Sequence, residues 1–472
     1  IGEALGYVAR AFREKYPSAM VLSGFCSSFF HARRVIQHPE DSLFCWHPGS
    51  GESFRAFLER NIGDADIGGL RIVEWEPAFV AYPDEMRGLL ADAAQFGREA
   101  AGSVITTGFF GRRWIKNCIR NFLLAESTSV LEECRGPVLV AASGPGLSDA
   151  LPTIRRYRDR LSLWALPSAL DFLDHHGIDP DLIVLTDPGF HSGLHFRTPC
   201  RRHRETGKGP PVLFPLTAFV PSSGAAFSGV IFHQGTAVET CLLERFRPET
   251  FYHPANGTVA GSAVGIARAK SAFPVFVAGL DFAVKDTIEH ARPNAFDRDA
   301  ETENLRLHPL ETEKYSRMIR LYPEKIRDGF RTSPSLRTYA GWFAARKFPG
   351  LHRIAPSVVE TGIPEAGTSV LESLPRVKPV LRLRPLPLPG KSERAAMVSV
   401  LLDDVGREIR TARTLRELSP RFRDTIMMIA PEDFLAISSG GGKGEAGEVS
   451  GDLREKVTAF IGSLRPLAGV TP

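Results

Sequence analysis

The spacing of apolar and polar positions divides the chain into stretches of different period. In the first hundred residues an amphipathic opening leads to an apolar run at 19–22, a turn at Ser23-Gly24 and a helix-like run over 27–35. The short apolar runs 43–46 and 71–75 read as further strands of the same sheet. Together they predict a smaller α/β domain over 1–110, Rossmann-like but degenerate. Ser23-Gly24-Phe25-Cys26-Ser27 offers one glycine where close approach to a pyrophosphate takes several. From 112 to 124, Trp114, Ile115, Cys118, Ile119 and Phe122 recur at helical spacing, with Asn117 and Asn121 one turn apart on one face.

Between 136 and 281 strand-like and helix-like runs alternate, which predicts an α/β fold: a central Rossmann-like, mostly parallel sheet with helices on both faces. The run 138–142 is apolar throughout, as a doubly buried strand requires, and breaks at Ser143-Gly144-Pro145-Gly146. A helix over 147–160, a strand over 161–166 and a helix over 168–176 follow, the last stopped by Gly177. The next strand, 182–186, ends at Asp187-Pro188. Strands at 212–214 and 229–233, a helix from Thr258 and a strand at 275–278 complete the series, which ends at Gly279-Leu280-Asp281. Polar helical runs at 315–322 and 335–347 extend this central domain over 111–370. Prolines at 375, 379, 385, 387 and 389 among arginines predict an extended linker over 371–391 and a domain boundary. The region 392–472 reads as helical, with helices at 392–413, 414–437 and 452–464 around a flexible Gly-rich run at 438–450. There is no internal repeat.

Composition narrows the partners. A chain of 472 residues, 43% hydrophobic and 24% charged, belongs to the ordinary globular range. With 58 Lys plus Arg against 54 Asp plus Glu the net charge is +4, too small for the cationic surface of a sequence-independent nucleic-acid binder. No nucleic acid and no membrane is the expectation, since no run approaches the ~18 apolar residues of a spanning helix. The six cysteines (26, 45, 118, 134, 200, 241) are scattered, without a Cys-x-x-Cys pair, which suits a reducing cytoplasm. The first 30 residues lack a leader's basic, apolar and small-residue order, although an opening at Ile1 rather than Met leaves room for a removed upstream segment.

Candidate chemistry gathers where strands end, because ligands of open α/β sheets sit beyond the carboxyl ends of the strands. Ser143, Gly144, Pro145, Gly146 and Ser148 join a buried strand to a helix start, where main-chain N–H groups, the helix dipole and two hydroxyls favour a phosphate; Gly-Pro-Gly also makes an inert turn. Asp187 could bind a ribose hydroxyl, hold a Mg²⁺ shared with phosphates, orient a reacting group, or simply cap the Asp-Pro turn. Asn256, Gly257 and Thr258 precede a small-residue helix, 259–267, that admits either a ligand or a neighbouring backbone. Asp281, with Asp286 and His290 after it, places carboxylates and an imidazole past another strand end, a set suited to metal binding or to deprotonating a hydroxyl.

Several of these motifs together resemble one family. The run 136–147, the turn Gly177-Ile178-Asp179-Pro180-Asp181 leading to Thr186-Asp187-Pro188, the start Asn256-Gly257-Thr258-Val259-Ala260, and Gly279-Leu280-Asp281-Phe282-Ala283 with His290 are similar to the MptE-like domain. That domain occurs in the motility-associated Maf flagellin glycosyltransferases and in archaeal 6-hydroxymethylpterin diphosphokinases. Trp114-Ile115-Lys116-Asn117-Cys118-Ile119-Arg120-Asn121 and the segment 339–364 resemble the Maf flanks, so the likeness covers about 1–365. The family's turn usually reads Gly-x-Gly-Pro-Ser-Leu; here Ala142 stands for the first glycine and Gly146 for the serine.

The resemblance implies transfer of a nonulosonic acid, of pseudaminic or legionaminic type, from its CMP-activated form to Ser or Thr of flagellin. It gives Asp187, Asp281 and His290 the catalytic roles, and the turn 143–148 with 256–258 the binding of the donor. Mg²⁺ on Asp187 and Asp281 enters only if the reaction depends on it. The same residues would serve ATP-dependent pyrophosphoryl transfer to a pterin alcohol, or survive in a non-catalytic flagellin-binding scaffold. The large flanking regions favour the Maf-like reading.

Overall fold

The computed structural model describes residues 1–472 apart from 18, 38–43, 127, 208, 222–227, 245–248, 303, 308, 328, 347, 440–446 and 470–472. The start of the apolar run 43–46 and most of the glycine-rich run 438–450 thus lie outside the described residues. Two units emerge: 1–112 with 402–463, and 113–401 with 464–472.

The larger unit is built on a nine-stranded sheet. In chain order its strands are β1 (Thr128–Arg135), β2 (Val138–Ala141), β3 (Ser162–Ala165), β4 (Leu182–Val184), β5 (Val212–Pro215), β6 (Gly229–Phe232), β7 (Val275–Ala278), β8 (Leu351–Arg353) and β9 (Val380–Pro385). Across the sheet they run β8-β7-β2-β3-β4-β5-β6-β1-β9, all parallel except β9, which pairs antiparallel with β1. Every residue of β2 to β7 is buried. This is why these strands read as unbroken apolar runs rather than alternating ones. Helices surround the sheet; the one over Val259–Lys270 packs on β1, β2 and β7 through Ala260, Ala263, Val264 and Ala267. Its small residues therefore serve close packing.

The proline-rich run expected as a linker contains β9. Its backbone is extended, as proline demands, but residues 380–385 close the sheet beside β1 instead of separating domains. An edge strand tolerates proline because one side of its ladder is unused, and Arg382 and Arg384 pair with Glu133 and Glu132 across it at 3.1 and 3.0 Å.

The smaller unit has little sheet. Ser23–Gly24 pairs in parallel with Cys45–Trp46, so the expected strand at 19–22 lies a little later in the chain. The run 71–75 is no strand: Ile72, Val73 and Trp75 are all exposed, and its backbone is tied to Ile1 through Val73 O and Trp75 N. Its core forms between the helix Phe54–Asn61 and the first part of α1 (Pro83–Leu124), where Met86, Leu89, Ala93 and Phe96 recur on one face. The helices Pro420–Ile429, Pro431–Ser438 and Gly451–Leu464 belong to the same unit, and Arg423 forms an ion pair with Asp66. The unit boundary at 112/113 falls inside α1, which the sequence breaks no sooner than Leu124.

Candidate functional site

Because β1 to β8 are parallel, their carboxyl ends share one rim of the sheet. The chain leaves β2 toward β3 and leaves β7 toward β8, in opposite directions, so the loops after β2 and β7 flank the topological switch point, the place where open α/β sheets bind ligands. Here the glycine turn 143–146 meets Gly279-Leu280-Asp281. The register puts Ala141 opposite Ala278. Ala142 N and Gly144 N then donate to Ala278 O and Gly279 O, both at 2.8 Å. Gly279 has a φ of 68°, and a side chain there would collide with the Ala142 carbonyl.

The turn's amides are engaged within the protein. Gly146 N, at the start of α2 (Gly146–Tyr157), donates to Asp281 Oδ2 at 2.7 Å, and Leu147 N and Ser148 N donate to Gly144 O and Pro145 O. A Cβ on Gly144 or Gly146 would strike the Asp281 carboxylate. The glycines thus make room for a carboxylate of the protein itself, a contact the spacing along the chain does not reveal. Burial pushes the Asp281 carboxyl above its usual range, Asp149 adds to this, and Gly146 N and Arg353 oppose it. The Arg353 guanidinium, 5% exposed at the end of β8, lies 3.6 Å from Asp281 Oδ1 and donates to the carbonyls of Leu280 and Ala355. Arg353 escaped the sequence reading because β8 is three residues long and carries no signal of its own.

The remaining predicted residues fall in three places. Ala291 N donates to Ser143 O at 2.7 Å, which brings the neighbouring His290 to the glycine turn. Phe296 packs on His290 at 5.8 Å and on His195 at 4.7 Å between ring centroids. Burial lowers both imidazoles. For His290, Glu289 and Asp297 oppose the shift and Arg317 adds to it; for His195, His290 adds to it and the value falls to about 4. His195 was not singled out from the sequence, where it is one histidine eight residues past Asp187. Asn256 and Thr258 serve α3 (Val259–Lys270): Thr258 Oγ1 caps it by accepting from Gly261 N at 2.9 Å, and Asn256 Oδ1 accepts from Thr258 N at 3.3 Å across Gly257, whose φ is 80°.

Asp187 stands apart. It follows β4, three inter-strand steps from β7, or about 14 Å at the usual spacing, so the fold does not gather Asp187 and Asp281 around one ion. Among the described residues no three His, Cys, Asp or Glu cluster as a metal site. Asp187 Oδ1 accepts from Gly189 N at 2.7 Å, the Asx turn expected of Asp-Pro. Burial raises its pKa, while Gly189 N, His191 and Arg113 oppose the shift.

Two asparagines of α1 position this part of the rim. Asn117 Nδ2 donates to Pro188 O and Thr217 O at 3.2 and 2.9 Å, and Asn121 Nδ2 donates to Leu216 O and Ala218 O at 2.9 and 2.7 Å. Their one-turn spacing is visible in the sequence; their targets, some 70 to 100 residues away, are not. Beside them the fully buried Glu239 accepts from Leu216 N and Gln234 N at 2.8 and 2.7 Å and from the amides of Gly235 and Thr236. The pattern Thr236-x-x-Glu239 is the sequence signal of such a helix start.

Residues 112–287 match the family model described as 6-hydroxymethylpterin diphosphokinase MptE-like. A protein of Treponema pallidum (strain Nichols), described as uncharacterized, is 26% identical over 329 residues, which cover 68% of this chain and 69% of that protein. Among solved structures, the Maf glycosyltransferase from Magnetospirillum magneticum AMB-1 superposes with a TM-score of 0.52 at 14% identity, over 99% of this chain and 73% of that one. No helix among the described residues is long and apolar enough to cross a membrane. The chain carries an MptE-like domain over residues 112–287 and shares the fold of the Magnetospirillum Maf glycosyltransferase.

Proposed function

We propose that this protein is a Maf-like glycosyltransferase that moves a nonulosonic acid, of pseudaminic or legionaminic type, from its CMP-activated form to Ser or Thr hydroxyls of flagellin. The observation that carries the reading is the junction at the switch point, where a glycine turn, a buried aspartate and the loop of His290 meet, within a fold shared with a Maf glycosyltransferase along 99% of the chain. The diphosphokinase reading accounts for the central domain alone, since the family model matches residues 112–287.

In this reading the phosphate of the donor lies beside the glycine turn, where the Ser143 and Ser148 hydroxyls meet the negative charge that grows as CMP departs, while the Asp281 carboxylate takes the head of α2 itself. The start of α3 at Asn256, Gly257 and Thr258 would add donor contacts in this reading. Asp281, held by Gly146 N and Arg353, fixes the turn and sets a negative charge near the oxocarbenium-like centre. The acceptor O–H gives its proton to His290, whose pKa burial lowers. A new C–O bond forms at the anomeric carbon, and the bond to the leaving phosphate breaks with its electrons going to that phosphate. No step here is routed through Mg²⁺.

The test has two parts. Calorimetry should register CMP binding to the whole chain. Mass spectrometry of flagellar filaments from a deletion strain should show loss of a nonulosonic acid mass, and filaments of unchanged mass would sink the reading. ATP-Mg²⁺ binding without CMP binding would favour pyrophosphoryl transfer.

A further inference from the structure

One feature of the rim has no part in the chemistry above. Phe190, three residues past Asp187, is 70% exposed, an expensive placement for a phenyl ring at a ligand-binding edge. It is not a loose side chain. Its ring meets Phe219 edge-on at 5.4 Å, and Arg120 lies 5.2 Å over the Phe219 ring. The two loops that carry the pair are joined by Phe219 N donating to Asp187 O at 2.8 Å. Asn117 and Asn121 hold the same loops at Pro188, Leu216, Thr217 and Ala218 from beneath. An exposed aromatic ring on a backbone pinned by buried amides is preorganised for stacking.

Its position selects the ligand. From the turn after β2 to Asp187 after β4 is two inter-strand steps, about 10 Å, and Phe190 lies just beyond. A lone phosphate does not span that distance, whereas a nucleotide laid along the rim does, with its phosphate at the turn, its ribose at Asp187 and its base past it. We propose that Phe190, backed by Phe219, is the platform on which the base of the donor nucleotide stacks, while Asp187 accepts from the ribose hydroxyls. This rests on the nucleotide-donor reading above. Stacking is tolerant of base identity, so the platform supplies affinity, and the choice of cytosine belongs to other contacts.

Calorimetry on the full chain tests it, with CMP, ATP and ribose 5-phosphate as probes. Phe190→Ala should weaken binding of whichever nucleotide the wild type takes by about tenfold or more. It should leave ribose 5-phosphate binding and the melting temperature unchanged, and Phe190→Trp should restore nucleotide affinity. Unchanged nucleotide affinity in Phe190→Ala overturns the platform and leaves the transferase reading standing. An equal loss for ribose 5-phosphate also overturns it, because the effect then lies in the phosphate or ribose contacts. A wild type that binds neither nucleotide removes both proposals.

Discussion

At the ends of β5 and β6, Glu239 is sealed from solvent and takes four main-chain N–H groups. At the ends of β2 and β7, Asp281 takes one, and its other oxygen faces a guanidinium at 3.6 Å. Both acids close strand ends that would otherwise leave amides without acceptors. The difference is in what remains. Glu239 spends its whole acceptor capacity inside the fold, and burial still holds it up to about 7. Asp281 keeps capacity to spare at the switch point, beside the loop that carries His290. The first is a rivet and the second a rivet with chemistry left in it.

The comparison breaks most visibly at Asp281. Asp281→Asn keeps an oxygen for Gly146 N but loses the negative charge. Donor turnover should therefore fall by about 10²-fold or more, and the melting temperature should drop as well, because the buried Arg353 loses its counter-charge. Full activity would remove Asp281 from the mechanism.

Glu239→Gln should act on stability. Its single acceptor oxygen meets four donors, so chemical denaturation should show a loss on the order of 3 kcal/mol. The sign with pH follows from the shift. The folded value of about 7 lies above the ordinary 4.5, so the folded state holds a proton that the unfolded state has released. The contribution is complete below 4.5 and is lost as pH rises through about 7. Wild-type stability should carry this dependence and the variant should not.

His195 titrates with the opposite sign. Its folded value of about 4 lies below the ordinary 6.5, so stability is full above 6.5 and is lost as pH falls through about 4. His195→Gln should flatten that acid limb by about 2–3 kcal/mol, measured by denaturation at pH 4 and pH 7. An unchanged limb would place the acid sensitivity elsewhere. Asn117→Ala is the smallest expected effect. Leaving the buried Thr217 carbonyl and the part-buried Pro188 carbonyl unpaired should cost about 1–2 kcal/mol. It should also weaken nucleotide binding if the rim at Asp187 matters to the donor; a stability loss with unchanged binding would confine Asn117 to the fold.

Much of the central domain was legible. The strands β2 to β7 announced themselves as short apolar runs, β2, β4 and β7 among them followed by small or acidic residues, and Gly177, with a φ of 68°, ends its helix as a left-handed cap should. The strands β1, β8 and β9 were missed because each is bordered or interrupted by charge. Glu132, Glu133, Arg382 and Arg384 sit on an edge where charged side chains face solvent and one another. In the smaller unit the apolar runs misled, since an apolar stretch such as 71–75 becomes a strand only if a neighbouring strand presents an edge to it.

Local order, strand ends and the residues stationed at them are properties of neighbours in the chain, where periodicity, turn chemistry and capping act over a few residues. On that basis the sequence alone determined a parallel α/β core with candidate groups at its rim. It could not determine which groups meet. The Asp281 carboxylate seated against Gly146, the asparagines of α1 reaching the loops after β4 and β5, and the packing of His195 on Phe296 are contacts across roughly 70 to 135 residues. They exist because sheet order sets distant strand ends side by side, and that order is settled by burying the whole sheet at once.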